Sequence, residues 1–184
     1  MNVAAQRSIM VMATALLLAG GLLLTGCSQS PLEPNLEPIS ESSQPQVLSR
    51  SAAFTSGAQG SPVAMYSKAV ISAKNGGQLA LFDVLLDVPP GALDVDTTYS
   101  ISIPDINVFY NEFGTDGLVF NVPVTVTMSY RDANLSSVNE SSIRIAWWNE
   151  DANTWINTEC ELDQINQVVT GKLHHFSAYA LVSD

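Results

Sequence analysis

The stretch LVFNVPVTVTMSY, residues 118–130, decides the fold because its apolar and polar side chains alternate. Every second residue from Leu118 to Tyr130 is apolar or aromatic, and the residues between them from Asn121 to Ser129 are polar or proline. Successive side chains of a strand point to opposite faces, so the pattern predicts a long β-strand with one buried face. Pro123 has no N–H to donate, and we therefore expect it at a sheet edge or a β-bulge.

Shorter alternating runs flank this stretch, namely TYSISIP at 98–104 and SIRIAWW at 142–148. Turn-forming sequences separate the runs. KNGGQ at 74–78 predicts a hairpin turn, and PPG at 89–91 predicts a type II turn with its glycine in the left-handed conformation. Together they predict an all-β domain over residues 61–184, a single antiparallel β-sandwich of about nine short strands.

Composition limits the classes of function. The 184 residues are 46% hydrophobic, enough for one buried core, and carry a formal net charge of −11. An acidic surface repels phosphate backbones, which argues against nucleic-acid binding. It also argues against electrostatic binding to anionic lipid, so any membrane attachment has to be covalent or apolar.

The N-terminal segment has the order typical of a secretory signal peptide, which we place at residues 1–26. Residues 1–8 contain Arg7 and no acid, residues 9–24 are nearly all apolar, and small residues follow. The alternative is a transmembrane helix. It is disfavoured because sixteen helical residues reach only about 24 Å, short of a hydrocarbon core of about 30 Å.

The end of that segment, Leu24-Thr25-Gly26-Cys27, resembles the lipobox of bacterial lipoproteins. The resemblance implies that the Cys27 thiol takes a diacylglyceryl group, that the chain is cut before Cys27, and that the new amine is acylated, for example with palmitate. Several acyl chains on one residue make a lasting membrane anchor. The expected location is the exported side of the bacterial cell envelope. If the cell is Gram-negative, Ser28 favours the outer membrane, because Asp at that place is the inner-membrane retention signal of the class.

Residues 27–60 are predicted to be the lipidated cysteine followed by a flexible linker. Pro, Ser, Gln and Glu dominate this stretch, and Phe54 is its one aromatic residue. Such a composition buries too little apolar surface to offset the entropy of ordering the chain. We therefore predict a spacer that holds the sandwich away from the membrane.

Two further stretches, VPPGALDVDTTYSISI at 88–103 and GTDGLVFNVPVTVTMSY at 114–130, resemble the ZU-five domain of zonula-occludens, netrin-receptor and ankyrin proteins. The resemblance covers most of residues 61–184. It implies a β-sandwich used for contacts with other proteins, with no conserved chemistry. The partner we expect is another envelope protein, and we expect no cofactor and no enzymatic activity.

The tripeptide His175-Phe176-Ser177 is the one candidate for chemistry. Some eukaryotic relatives in the ZU-five family cleave themselves within an identical tripeptide. That resemblance implies that Ser177 attacks the Phe176 carbonyl while His175 takes the proton. If the segment is one strand, His175 and Ser177 share a face. In the alternative interpretation, Phe176, Ala178, Ala180 and Val182 simply alternate toward the core.

Three tryptophans, Trp147, Trp148 and Trp155, flank a predicted turn at 149–153. Adjacent residues of a strand face opposite sides, so one of Trp147 and Trp148 is expected in the core and the other at the surface. An exposed tryptophan suits a protein partner or a sugar ring, which makes Trp148 and Trp155 candidate binding residues and a glycan an alternative ligand. The competing interpretation is packing against a neighbouring sheet.

We predict no metal site. His174 and His175 are adjacent in a strand and point to opposite faces, so they do not bind one ion together. Five aspartates fit no calcium-loop spacing and are expected as solvated turn residues; they are Asp83, Asp87, Asp94, Asp96 and Asp105.

Overall fold

The computed structural model describes residues 44–57 and 64–184. The predicted signal peptide, Cys27 and the first part of the predicted spacer lie outside these residues. The described chain is mostly β-strand, with one short helix, α1 (Ala52–Gly57), and a single 3-10 turn at Glu140–Ser142. The predicted all-β class is confirmed.

In the described residues, twelve strands form two antiparallel sheets that pack against each other, which confirms the predicted sandwich. The larger sheet contains β1 (Gln46–Val47), β2 (Met65–Ile71), β5 (Thr97–Ile103), β6 (Tyr110–Gly114), β8 (Arg144–Asn149), β9 (Thr154–Asn157) and β12 (Ala178–Ser183). The smaller sheet contains β3 (Gly77–Leu81), β4 (Val84–Val88), β7 (Val119–Ser129), β10 (Cys160–Asp163) and β11 (Val168–His175).

The spatial order is β2-β5-β6-β12-β8-β9 in the larger sheet, where β1 also pairs with β12, and β10-β11-β7-β4-β3 in the smaller. Eleven of the twelve strands lie in residues 64–184, where about nine were predicted, and β1 lies in the segment predicted to be a spacer. Strands β9 and β10 have only four residues each, which gives little room for an alternating pattern.

The core lies between the two sheets, and β7 is central to it. Val122 departs from the predicted alternation and is 41% exposed. Leu173 of β11 pairs with Val124 but His175 pairs with Val119, so β7 carries extra residues at this point. Pro123 lies in this bulge, as predicted. The remaining alternating residues of this stretch are buried, apart from the half-buried Leu118; the buried ones are Phe120, Val124, Val126, Met128 and Tyr130.

Strand β12 runs through the larger sheet and is buried on both faces. Tyr179 and Leu181 belong to the main core, whereas Ala180 and Val182 belong to a second, small cluster with Ala146. The prediction that Phe176, Ala178, Ala180 and Val182 all point toward the core is therefore wrong for the residues after Phe176. The cause is a bend in the chain at residue 177, between β11 and β12, which shifts the phase of the side chains.

Residues 44–57, which composition placed in the flexible spacer, form part of the sandwich instead. Strand β1 pairs with β12, and Leu48 is buried. The backbone N–H groups of Leu48 and Arg50 donate to the carbonyls of Leu181 and Asn107, at 2.9 and 2.8 Å. A predicted domain start at residue 61 is thus too late, because a few backbone bonds and buried side chains offset the ordering entropy of a segment with little apolar surface.

The two predicted glycine turns have different outcomes. The turn at 73–75 is closed by an antiparallel bridge between Ser72 and Gly76, but the strands on its two sides, β2 and β3, belong to different sheets and do not form the predicted hairpin. Gly76 has φ +68°, and a Cβ there would lie 2.2 Å from the Val88 carbonyl oxygen. The PPG turn is as predicted, with Gly91 at φ +76° and the Ala92 N–H donating to the Pro89 carbonyl at 3.2 Å.

Candidate binding groove

A row of side chains crosses the outer face of the larger sheet. Tyr66 of β2 pairs with Ser102 of β5, Ser102 pairs with Glu112 of β6, and Glu112 pairs with Ala178 of β12. Directly opposed residues of antiparallel strands point to the same face. The buried neighbours of Ser102 in the strand fill the core, so all four residues of the row face outward.

Trp148 extends this row onto β8. Tyr179 pairs with Trp147, so the next residue, Trp148, lies beside Ala178 on the outer face. Trp148 pairs in turn with Trp155 of β9, and the two rings meet edge to face with centroids 5.3 Å apart. Trp147 packs against the main core, which confirms that the two adjacent tryptophans face opposite sides.

Differences in side-chain size turn the row into a groove of about 470 Å³. Ala178 is small and lies in the row between the larger Glu112 and Trp148, which leaves a depression. Four of its lining residues are aromatic, and three of these are not buried, namely Tyr66, Tyr110 and Trp148. Tyr66 is 61% exposed, whereas the other two are half-buried, so the groove offers fixed aromatic surface that a ligand can still reach.

Of the two tryptophans predicted to bind a ligand, only Trp148 lines the groove. Trp155 packs against the small outer cluster that contains Ala180 and Val182. Its ring also meets that of Tyr110 edge to face, with centroids 6.3 Å apart. Trp155 therefore supports Trp148 and Tyr110 from the side, and its contribution to a ligand would be indirect.

The groove is acidic. Glu112, Asp116 and Glu150 line it, all three exposed, and none of its twelve lining residues carries a positive charge. The Tyr110 hydroxyl donates to Glu112 Oε1 at 3.3 Å. Burial, followed by the charges of Glu112 and Glu150, raises the pKa of Tyr110. Two carboxylates thus act on one ring, an arrangement that attracts a positively charged ligand.

His175 and Ser177 do not come together. The Ser177 hydroxyl points to the carbonyl of Trp148, with the two oxygens 3.5 Å apart. His175 Nδ1 lies 3.4 Å from the Phe176 carbonyl oxygen, and the His175 ring packs on that of Trp147 with centroids 4.7 Å apart. Within the described residues, no hydrogen bond joins His175 to Ser177. The expectation that they share one strand face is wrong, because the chain bends between them.

The residues considered as metal ligands stay apart. Asp83 pairs with Arg50, and the other four aspartates accept hydrogen bonds from nearby backbone or amide groups. In the part of the chain described, no group of three or more His, Cys, Asp or Glu side chains is close enough to hold a metal ion.

Sequence reasoning identified Trp148 but missed Tyr66, Tyr110 and Glu112. Each of these lies on the solvent-facing side of a short strand. The sequence of one strand alone does not distinguish a binding residue from any other residue on that side. Their significance comes from the pairing of β2, β5, β6 and β12, which brings together residues far apart in the sequence. The order of strands in a sheet is not readable from the alternation within each strand.

No family model matches the chain, and no curated protein matches it either. Across the described residues, no helix combines the length and apolar character needed to span a membrane.

Proposed function

We propose that this chain is a lipid-anchored protein of the bacterial cell envelope, whose ZU-five-like sandwich binds a partner protein. The anchor is Cys27, on the strength of its resemblance to the lipobox cysteine. The binding surface is the groove on the outer face of the larger sheet. The observation that carries the binding proposal is the row from Tyr66 to Trp148, which places aromatic rings, hydroxyls and a carboxylate together around one depression.

The chemistry of the groove favours binding over catalysis. Aromatic rings that are partly exposed give a partner apolar contact area, and the hydroxyls and carboxylates around them give it orientation. The three carboxylates of the groove are all exposed, an environment suited to pairing with a ligand's charge. Ser177, the one candidate nucleophile, faces a backbone carbonyl instead of a base.

A carbohydrate is the second candidate ligand. Trp148 lies in the same groove as the hydroxyls of Ser100 and Ser102. A sugar ring stacks its apolar face on an aromatic ring while its hydroxyls bond to polar side chains. This alternative uses the same groove and differs only in what fills it.

Site-specific crosslinking in intact cells tests the protein-binding proposal. A photoreactive amino acid replaces Tyr66 in the groove or, as a control, Ile165, which is 95% exposed and lies outside the groove. We expect a discrete protein adduct from position 66 that is absent from position 165 and lost when Trp148→Ala is added. An adduct that forms equally from both positions, or that persists without Trp148, would contradict the proposal.

Glycan binding is tested in parallel with the full-length chain on a glycan array. Retention of a glycan that is abolished by Trp148→Ala, with no protein adduct from position 66, would establish the carbohydrate alternative in place of protein binding.

A further inference from the structure

We propose that the occupant of the groove is an extended segment of a partner protein with lysine or arginine side chains. This inference rests on the proposed function, since it names the class of ligand for the same groove. Its basis is the shape of the groove across the strands, the sign of its charge and the placement of its rings.

The dimensions suit a short extended chain. The row runs from Tyr66 on β2 to Trp148 on β8, across five adjacent strands of the larger sheet. Four spacings of about 4.8 Å give a length of about 19 Å, which about six extended residues span at about 3.3 Å each. A chain lying across the strands would meet Tyr66, Glu112 and Trp148 in turn.

The charge of the groove selects a basic segment. Three of its twelve lining residues carry carboxylates, and the twelve include no lysine, arginine or histidine. Glu112 belongs to the row itself, directly opposite Ser102 and Ala178. An acidic segment would place like charges together at a cost, whereas a basic one gains from complementarity and from faster encounter.

The aromatic rings add to this selection. Tyr66, Tyr110 and Trp148 line the same groove as the carboxylates. A guanidinium or ammonium group over such a ring is attracted by the negative charge of the ring face. The alkyl part of a lysine or arginine side chain covers the ring at the same time. A neutral sugar would use the rings but would leave the carboxylates without a cationic partner.

The chain's own N-terminal segment does not match this charge. Residues 28–43, which follow the proposed anchor, contain Glu33, Glu37 and Glu41 and no lysine or arginine. Residues 58–63 carry no charged side chain. Neither of these two segments supplies the complementary charge, which favours a segment of another protein as the ligand.

Fluorescence anisotropy with the full-length chain tests the inference. The probe is a labelled peptide of nine residues with lysine at alternate positions between serines, and the reference peptides carry glutamine or glutamate in place of lysine. The variants are Glu112→Gln and Glu150→Gln in the groove, with Glu161→Gln as the matched control. Glu161 is exposed on β10 of the smaller sheet, so Glu161→Gln removes the same charge at a position outside the groove.

We expect the lysine peptide to bind at least about tenfold more tightly than the glutamine peptide, and less tightly as salt is added. Each groove variant should weaken its binding about threefold, whereas Glu161→Gln should leave it unchanged. Equal binding of lysine and glutamine peptides, equal effects of Glu112→Gln and Glu161→Gln, or no binding of the lysine peptide would overturn the inference.

Two aromatic variants distinguish an error in the ligand class from an error in the binding surface that the proposed function names. Trp148→Ala removes the ring at the β8 end of the row, and Tyr66→Ala removes the ring at the other end, on the edge strand β2, where folding is least affected. If a neutral peptide binds and either variant weakens it, the groove is a binding site but the ligand class is wrong. If peptide binding is the same in both variants as in the unaltered chain, the groove itself is not the binding surface.

Discussion

Arg50 and Asp83 form a buried ion pair, with Arg50 Nη2 2.7 Å from Asp83 Oδ2 and the side chains 2% and 12% exposed. The rings of Phe54, Phe82 and Phe109 surround the guanidinium group, whose carbon lies 4.0 Å from the Phe109 centroid. In the described structure, Arg50 Nε and Nη1 have no hydrogen-bond partner, so these ring faces are the remaining partners of the charge. Since Arg50 lies in residues 44–57 and Asp83 in the turn between β3 and β4, the ion pair holds these two segments together.

Removing the arginine should destabilise the sandwich strongly. We expect Arg50→Ala to lower the free energy of unfolding by about 3–5 kcal/mol, because it leaves the Asp83 carboxylate buried without its partner. Urea unfolding of the full-length chain measures this change. Arg131→Ala is the control, since Arg131 is exposed and should contribute less than about 1 kcal/mol. Equal costs for the two variants would show that the ion pair does not hold the segment in place.

Alkaline pH should destabilise the fold through Tyr130. Its ring is fully buried and its hydroxyl donates to Glu140 Oε1 at 2.9 Å. Burial, with the Glu140 bond and charge, raises the pKa of Tyr130 to about 12 from the ordinary 10.0. The folded chain therefore keeps this proton where the unfolded chain loses it. The stabilisation is complete below the unfolded pKa and is lost as the pH rises through the folded one.

The comparison of the unaltered chain with Tyr130→Phe isolates this effect, because the variant has no hydroxyl to ionise at that position. We expect the free energy of unfolding to fall more steeply between pH 10 and pH 12 in the unaltered chain. Parallel curves for the two proteins would contradict the role of Tyr130.

Membrane attachment should depend on Cys27 and not on the other cysteine. We expect Cys27→Ala to abolish incorporation of labelled palmitate and to move the chain out of the membrane fraction. Cys160→Ala should change neither, because Cys160 lies in β10 of the sandwich with a free thiol. Label that persists in the Cys27→Ala chain would refute the proposed anchor.

The bond between Phe176 and Ser177 should stay intact in the purified protein. The Phe176 carbonyl accepts the Gly117 N–H at 3.0 Å and lies 3.4 Å from His175 Nδ1, so His175 is directed at this oxygen and away from the Ser177 hydroxyl. We expect mass spectrometry to show an unbroken chain across this bond. A fragment that begins at Ser177, and that disappears in Ser177→Ala, would establish self-cleavage instead.

Much of the sandwich could be predicted from local patterns. The alternation around Val124 identified the long strand, and the missing N–H of Pro123 restricted that residue to a sheet edge or a bulge. Gly91 was predicted to be left-handed because the PPG sequence leaves few other turns open. Each of these predictions depends on residues within a few positions of one another, where side-chain direction and backbone restriction act directly.

The remaining features depend on residues far apart in the sequence. The pairing of β1 with β12 buries Leu48 in a segment whose average composition predicts disorder. The bend at Ser177 changes which side of β12 faces the core, and no composition rule locates it. The groove requires β2, β5, β6, β12 and β8 in that order, an arrangement that the separate alternating runs do not specify.

Chemical-shift mapping by NMR tests the binding proposal most directly. The lysine peptide is titrated into the isotopically labelled full-length chain, and the shifted backbone and indole signals are assigned. We expect the largest changes at Tyr66, Glu112 and the Trp148 indole N–H. Changes concentrated on the smaller sheet, around Lys172 and His174, with these three signals unmoved, would contradict the assignment of the groove as the binding surface.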